Sequence, residues 1–203
     1  MPSPLAHASL ILVAGPVVLR KAPRLLRQPH GPRARRNTWA LVALTGVALA
    51  IPDADFLLYF AMGSDAGAGH GGPGHSLVAA MLFGPLFALT ATRLAGARFW
   101  PAAVLGSVAY ASHIGLDLLN PGRGVGVLWP WQDRSPTGVV IFEGAAHNDL
   151  SNWRRHRRTF LNEISFAAAM FGLGWLVARC LDRLRAAGRA GECRSPASVE
   201  AGS

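Results

Sequence analysis

The sequence has 203 residues, a length that suits one domain. Apolar residues make up 51% of it and charged residues 15%, whereas soluble domains carry about 25% charged residues, so the composition argues against a soluble fold. The net charge of +9 would fit nucleic-acid binding, but the arginines stand in blocks between apolar runs, at 20–36, 154–158 and 179–194, as in membrane proteins that contact anionic headgroups. We therefore expect no nucleic-acid partner. Cys180 and Cys193 lack a metal-type spacing and are predicted to be unpaired thiols.

Five apolar stretches are predicted to form helices that are apolar nearly all round. Most are shorter than the ~20 residues that cross a bilayer, and they reach that length only by including His or Asp, which membrane helices tolerate when such groups face the bundle interior. We predict an all-α, membrane-embedded bundle of about four to five apolar helices in residues 1–182, and a disordered basic tail at 183–203. The stretches are Leu5–Leu19, Trp39–Met62, Ser76–Thr92, Phe99–Leu119 and Ile164–Leu181.

The charges of the connecting segments predict the orientation of these helices, because cytoplasmic loops carry an excess of Lys and Arg. Residues 20–36 hold six Arg and one Lys and should be cytoplasmic, whereas residues 63–74 hold neither and should lie outside. The short segment 93–98 returns to the inside. The basic segment 154–158 disagrees, since it falls on the predicted outer side. Either it lies on the membrane surface, or the last stretch does not span the membrane.

Polar side chains interrupt the apolar stretches at four places. His7 stands near the start of the first stretch. Asp53 and Asp55 follow Pro52, which disfavours helix at the preceding residue and predicts a kink or a new turn. A Gly-rich loop with His70 and His75 leads into the third stretch, where its amide groups could also cradle an anion. His113 and Asp117 have the i, i+4 spacing that places both on one helix face.

The predicted orientation places all seven of these polar side chains at the outer ends of their helices, although the loop charges were counted without them. Each one alone has an ordinary alternative: a cap or surface group for His7, caps for Asp53 and Asp55, a buried hydrogen-bonded pair for His113 and Asp117. Together they predict a metal site, because ionisable groups in an apolar bundle are costly unless paired or metal-bound. The predicted metal ligands are His7, Asp53, Asp55, His75, His113 and Asp117.

A mixed His and carboxylate set suits zinc, with manganese as the alternative. The number of ligands allows one or two ions, and two ions some 3.5–4 Å apart form a hydrolytic arrangement for phosphoesters. We predict that Asp55 orients the attacking water or acts as its general base. His70 is predicted to be a catalytic residue that stands slightly outside the ligands, either as an outer partner of a ligand or facing the phosphate.

The order and spacing of these motifs resemble the YdjM-type, LexA-regulated family of bacterial inner-membrane metal-dependent hydrolases. The resemblance covers roughly residues 1–131, from Met1-Pro2-Ser3-Pro4 and His7 to Leu128-Trp129-Pro130-Trp131. It implies a distant similarity to zinc-dependent phospholipase C and P1-type nucleases, and hence phosphoester hydrolysis. The family's His-Arg-Gly-X-Thr-His-Ser element departs at two positions, which are Gly71 and Gly74 here. If the missing Arg contacts phosphate, weaker activity or another substrate would follow.

The sequence thus favours a metal-dependent hydrolase in the bacterial inner membrane, multi-pass, with its site toward the outer side. Its expected partners are membrane lipid and a small or lipid-linked phosphoester. The alternative is a non-enzymatic membrane protein in which the same ligands hold a structural ion or conduct a transported one. A hydrolytic site keeps an open position for water, whereas a structural site is closed.

Overall fold

The computed structural model describes residues 7, 9–28, 30–55, 61–62, 71–119, 124–132 and 153–192. These residues form an all-α fold, as predicted. Leu26 and Ala97 form an isolated antiparallel β-bridge within the described residues. One 3₁₀ turn, Ile51–Asp53, directly follows the second helix, and another, Pro73–His75, lies just before the third. The helices are α1 (Ile11–Leu25), α2 (Pro32–Ala50), α3 (Leu77–Ala95), α4 (Phe99–Asp117) and α5 (Trp153–Glu192).

The helix boundaries follow the apolar stretches closely in α3 and α4 but not elsewhere. α1 runs past Leu19 through Arg20 and Lys21, and α2 begins in the basic segment at Pro32. α5 has 40 residues and includes 183–192, which we expected to be part of a disordered tail, while 193–203 lie outside the described residues. Arg, Lys and Ala are strong helix formers, so these helices continue past the ends of the apolar segments.

The first four helices are antiparallel to their neighbours in sequence, so the segments that join them lie at the two ends of the bundle. At one end, the chain after α1 is joined to the turn between α3 and α4 by backbone hydrogen bonds, from Arg27 N–H to the Gly96 carbonyl at 2.9 Å and from Arg98 N–H to the Leu25 carbonyl at 2.7 Å. Gly96 ends α3 with a φ of 62°, a conformation that favours glycine. The predicted His and Asp ligands that the structure describes all lie toward the opposite end.

α5 packs along α1 and runs in the same direction. Phe166 contacts the region of Leu116 near the His and Asp side chains, Gly174 faces the backbone of Leu12, and Asp182 forms a 2.8 Å ion pair with Arg20. The basic residues 154–158 therefore occupy the first turns of α5, at the end of the bundle where His7 lies. This is the end that the other loop charges predict to be outside. The basic segment therefore lies on the side where the loop-charge rule expects few arginines.

Large apolar side chains cover much of the outer surface of the bundle, and polar side chains lie inside it. Large side chains on α3 and α4 are exposed on the outer surface, for example Leu82 at 67% and Val104 at 64%, while His75 and His113 are fully buried. Two helical segments are long and apolar enough to cross a membrane, Leu77–Ala95 and Ile164–Leu184. A surface rich in exposed leucine and valine is unfavourable in water and suits contact with lipid.

Small residues let α3 and α4 approach closely. A Cβ added at Gly106 would lie 2.6 Å from two atoms of the Phe87 side chain, and one added at Gly84 would overlap Ser107. Alanines supply much of the buried surface between the two helices, including Ala88, Ala91 and Ala102. Close packing of this kind stabilises helix pairs in lipid, where burial of apolar area gives little driving force.

This packing predicts that Gly106→Ala destabilises the protein by about 1–3 kcal/mol, because Phe87 has to move to admit the methyl group. Gly115→Ala is the matched control on the same helix. Gly115 is exposed and has nothing within 4 Å of an added Cβ, so alanine should leave the stability unchanged or raise it by up to about 1 kcal/mol. Unfolding in mixed micelles with increasing SDS measures both values, and equal stabilities would contradict the close α3–α4 contact.

Candidate metal centre

Six of the seven predicted site residues converge at one end of the bundle. They come from four separate places in the chain, and the elements that carry them approach this end from different directions. His70 lies outside the described residues, so its predicted catalytic role stays a prediction. The six are His7 before α1, Asp53 and Asp55 after α2, His75 before α3, and His113 and Asp117 in the last turns of α4.

Pro52 places the first two carboxylates. α2 ends at Ala50, and the chain continues as a 3₁₀ turn in which the amide of Ala54 bonds to the carbonyl of Ile51. The predicted interruption is thus confirmed, and it follows from the missing amide hydrogen of proline. In the last turn of α2, the carbonyl of Leu49 accepts a hydrogen bond from Nδ1 of His113 at 2.7 Å. A carbonyl only accepts, so Nδ1 carries a proton and Nε2 is the nitrogen that faces the cluster.

The glycine-rich loop holds His75 through several hydrogen bonds. The hydroxyl of Tyr110, which lies one turn before His113 on α4, donates to the carbonyl of Gly74 at 2.6 Å. Ser76 caps α3 by accepting from the amide of Ala79 at 3.0 Å. The loop is thereby attached both to its own helix and to the helix that carries the other ligands.

The segment 124–132 closes this loop from the other side. The amide of Gly126 donates to the carbonyl of Gly71 at 2.8 Å, and the amide of Leu77 donates to the carbonyl of Val127 at 3.0 Å. The amides of Leu77 and Ala79 at the start of α3 are thus already used. These two amides do not cradle an anion in the way that the Gly-rich sequence suggested.

The inner contacts of the site join two imidazoles to two carboxylates. Nε2 of His113 lies 3.3 Å from Oδ1 of Asp53 and 3.4 Å from Oδ2 of Asp117. Nε2 of His75 lies 3.3 Å from the same Oδ2 of Asp117 and 3.8 Å from the same Oδ1 of Asp53. Each of the two imidazole nitrogens thus lies near both carboxylates. Two groups of three residues have donor atoms close enough to hold an ion: His7, His113 and Asp117, and Asp53, His75 and His113.

The remaining two predicted ligands contact this inner group from outside. Oδ2 of Asp55 lies 3.3 Å from Nδ1 of His75, the ring nitrogen that points away from the inner group. Nε2 of His7 lies 3.4 Å from Oδ1 of Asp117. The ring of His7 also stacks on that of His113, with centroids 3.7 Å apart and planes inclined by 13°.

The site is buried on one side and open on the other. His7, His75, His113 and Asp117 are all at most 3% exposed, whereas the side chains of Asp53 and Asp55 are 27% and 18% exposed. Both nitrogens of His7, Nε2 of His113 and both oxygens of Asp117 are buried and make no hydrogen bond within the described part of the chain. Buried polar atoms in a native protein have partners, so this donor set fits a bound cation.

The electrostatics agree with that reading. Burial disfavours the charged form of Asp53, but the contacts with His113 and His75 outweigh it and hold the pKa of the carboxyl well below its usual range. Burial likewise opposes the charge on His75, but Asp53, Asp55 and the charge of Asp117 raise the pKa of its imidazole to about 9. Without a metal ion, protons on imidazole offset the buried carboxylates. A divalent ion bound by His75 would displace such a proton and take over this function.

The two departures from the family motif have different structural settings. Gly71 has a φ of 80°, and an added Cβ would lie 3.3 Å from the carbonyl oxygen of Gly124, so an arginine there would be strained in this loop. An added Cβ at Gly74 would lie at an ordinary distance of 3.8 Å from Oδ2 of Asp55. The loop therefore accommodates the Thr of the motif at position 74 but not its Arg at 71.

The structure also bears on the ordinary alternatives and adds residues that the sequence did not indicate. Leu10 is the N-cap of α1 and no side chain forms that cap, so His7 does not cap α1. Residues 56–60 lie outside the described part of the chain, so the cap alternative for Asp53 and Asp55 is not tested. The Leu49 carbonyl and the Tyr110 hydroxyl hold parts of the site in place by hydrogen bonds, but neither residue belongs to a recognisable sequence motif. A carbonyl has no sequence signal, and a tyrosine in an apolar helix has none specific to this role.

Comparison with known proteins gives one match. The family described as YdjM inner membrane protein matches residues 6–183, a range that includes all six converging side chains and most of α5. No curated protein and no solved structure matches the chain. The helical bundle with its apolar surface is what a family of inner-membrane proteins requires. With a match over most of its length, the chain belongs to the YdjM inner membrane protein family.

Proposed function

We propose that this protein is a membrane-bound, metal-dependent hydrolase of phosphoesters. The observation that carries the proposal is the cluster of three imidazoles and three carboxylates that is buried among apolar helices yet open at Asp53 and Asp55. A closed cluster would suit a structural ion, whereas partly exposed carboxylates leave room for water and substrate.

A bound zinc ion would supply this site with an acidified water and with positive charge for phosphate oxygens. The chain's own residues would provide the rest of the chemistry. The exposed carboxylates of Asp53 and Asp55 are placed to accept a proton from a water molecule at the open side. The buried side chains of His113 and Asp117 would keep the donor atoms in place.

Lipid-linked substrates are favoured by the depth of the site. It lies at the end of helices whose outer faces are apolar, beside a turn that exposes Trp129 at 37% and Trp131 at 82%. Tryptophan prefers the interface between the hydrocarbon layer and water. A site at that level would meet the phosphate of a lipid headgroup without extracting the lipid from the membrane.

The alternative function, a structural or transported ion in a non-enzymatic protein, is favoured by the full burial of His75 and His113. Metal analysis together with activity separates the two functions. A structural ion would be bound stoichiometrically and would support folding without turnover. The exposed edge of Asp53 is the feature that makes us prefer the hydrolase.

The first test is metal-dependent turnover. Detergent-purified protein should hydrolyse bis(p-nitrophenyl) phosphate or phospholipid in mixed micelles, lose activity on treatment with EDTA, and regain it with Zn²⁺. His113→Ala should lower the activity by at least about 100-fold, since it removes a donor atom from the cluster. Gly115→Ala on the same helix is the control and should keep the wild-type rate. Equal activity of His113→Ala and wild type would refute the proposal.

The second test concerns orientation. We propose that the chain crosses the inner membrane several times with the site end outside, because the basic segment 20–36 lies at the other end. In a background with Cys180 and Cys193 replaced by Ser, Trp131→Cys should react with a membrane-impermeant maleimide in intact cells, and Gln28→Cys only after lysis. Both positions are exposed, so burial does not limit labelling. The opposite labelling pattern would reverse the orientation.

A further inference from the structure

We propose that the bundle binds the phosphate of an anionic phospholipid at the end opposite the metal centre, between Arg27 and Arg98 and beside the side-chain amide of Asn37. These residues come from the segment after α1, the start of α4 and the second turn of α2. About fifteen residues of helix, or roughly 22 Å, separate Arg98 from His113 along α4. The lipid site is therefore distinct from the metal centre, and it does not depend on the proposed hydrolase activity.

A backbone bridge sets the positions of the two arginines. Leu26 and Ala97 pair in antiparallel fashion, and the amides of Arg27 and Arg98 donate the hydrogen bonds on either side of this pair. Side chains alternate between the two faces of an extended backbone. Because Leu26 and Ala97 are fully buried, Arg27 and Arg98 lie together on the opposite face, and both are exposed.

The bridge holds two like charges near each other. Arg27 and Arg98 are diagonal neighbours across the antiparallel pair, a position in which the Cα atoms of two residues lie about 7–8 Å apart. Within the described part of the chain, neither arginine forms an ion pair. The acidic side chain described at this end, Asp182, is bound by Arg20 at 2.8 Å. An external anion between the two arginines would relieve their repulsion.

Phosphate has the size that this spacing requires. A guanidinium group binds phosphate through two parallel N–H···O bonds of about 2.7–2.9 Å, which places the phosphorus atom roughly 4 Å from the guanidinium carbon. Two arginines on opposite sides of one phosphate would thus have guanidinium carbons roughly 8 Å apart. This separation is close to the expected Cα spacing of Arg27 and Arg98, so both side chains can reach the same phosphate from the bridge.

Asn37 supplies a polar group of a different kind at the same place. A Cβ added at Gly96 would lie 3.3 Å from the amide nitrogen of Asn37, so this half-buried side chain lies against the turn that leads to Arg98. Among the described residues, the Asn37 side chain has no hydrogen-bond partner. An amide N–H can donate to a phosphate oxygen, which gives the site a directional contact in addition to its charge.

The start of α4 adds to the positive potential. Arg98 is the N-cap of this helix, and no side chain caps it. The first amides of a helix have no partner within the helix and carry partial positive charge, which favours an anion nearby. An anion held by Arg98 would lie next to these amides.

The surroundings of the site favour a lipid headgroup over a dissolved anion. Trp39 and Trp100 follow Asn37 and Arg98 by two residues each, and both are largely exposed. Leu94, in the last turn of α3, is 64% exposed. Tryptophan prefers the boundary between hydrocarbon and water, and exposed leucine suits acyl chains. The arginines therefore lie where the apolar surface ends, at the level of the phosphates in the adjoining leaflet.

Lipid titration followed by native mass spectrometry tests the proposal on the full chain in detergent. Phosphatidylglycerol should bind with one tight site per chain, about 10–30-fold more tightly than phosphatidylcholine, because two arginines attract its net negative charge. Arg27→Gln combined with Arg98→Gln should remove this preference. The bridge is formed by backbone groups, so the double variant should keep its fold, which thermal unfolding without added lipid checks.

The matched control removes the same charge from another part of the same end. Arg179 and Arg183 are exposed on α5, and Arg179→Gln combined with Arg183→Gln should keep the preference for phosphatidylglycerol. Equal losses in the two double variants would show that only the overall charge attracts the lipid, and would overturn the proposed site. Binding of both lipids with equal affinity to the wild type would overturn it as well.

Further measurements decide between partners and keep the test valid if the glutamine variant does not fold. Arg27→Lys combined with Arg98→Lys keeps both charges but loses the bidentate geometry, so the preference should fall several-fold. An undiminished preference in this variant would refute the arginine–phosphate contact. Displacement of the lipid by millimolar inorganic phosphate would identify a site for free phosphate, and displacement by a short oligonucleotide would identify nucleic acid as the partner. Either displacement would overturn the assignment to lipid.

Discussion

The desolvation of charge at one end of an apolar bundle is the constraint on which this structure depends. Asp117 is buried beside three imidazoles, with Asp53 and Asp55 at the rim, and many large apolar side chains of the described helices are exposed on the outer surface. Isolated charges in such surroundings are strongly unfavourable, so the acids and bases must meet each other or a cation. Four chain segments end at the same level because each brings part of this charge balance. The helix interiors, which have no such requirement, pack through small residues and leave their large side chains to the lipid.

Much of this arrangement can be predicted from sequence. Apolar stretches with few charges predict the helices, Pro52 predicts the end of α2, and the i, i+4 pair of His113 and Asp117 predicts two side chains on one face. The convergence of distant residues follows from the alternation of charged and uncharged loops. These signals come from neighbouring residues or from composition, so they can be recognised without knowing which distant residues contact each other.

The roles within the cluster cannot be predicted in the same way. His7 and His113 are equally good candidate ligands by sequence. In the structure, His113 donates a hydrogen bond to a backbone carbonyl, whereas His7 stacks on the ring of His113. Asp53 and Asp55 are two residues apart, but they contact opposite nitrogens of His75. Such differences arise from how α4 meets the end of α2 and the loop before α3. The length of α5 was also missed, because its basic ends have no hydrophobic signal although they are good helix formers.

The length of α5 has a consequence for the water layers on both sides. Forty residues of α-helix extend roughly 60 Å, about twice the hydrocarbon thickness of a bilayer. If α5 crosses a membrane, a tilt of the usual size shortens this length only slightly, and the turns at both ends would extend into the water layers. The projecting turns at the site end carry Arg154, Arg155, Arg157 and Arg158. In a membrane, arginines at these positions of the helix would attract anionic headgroups to this end of the bundle.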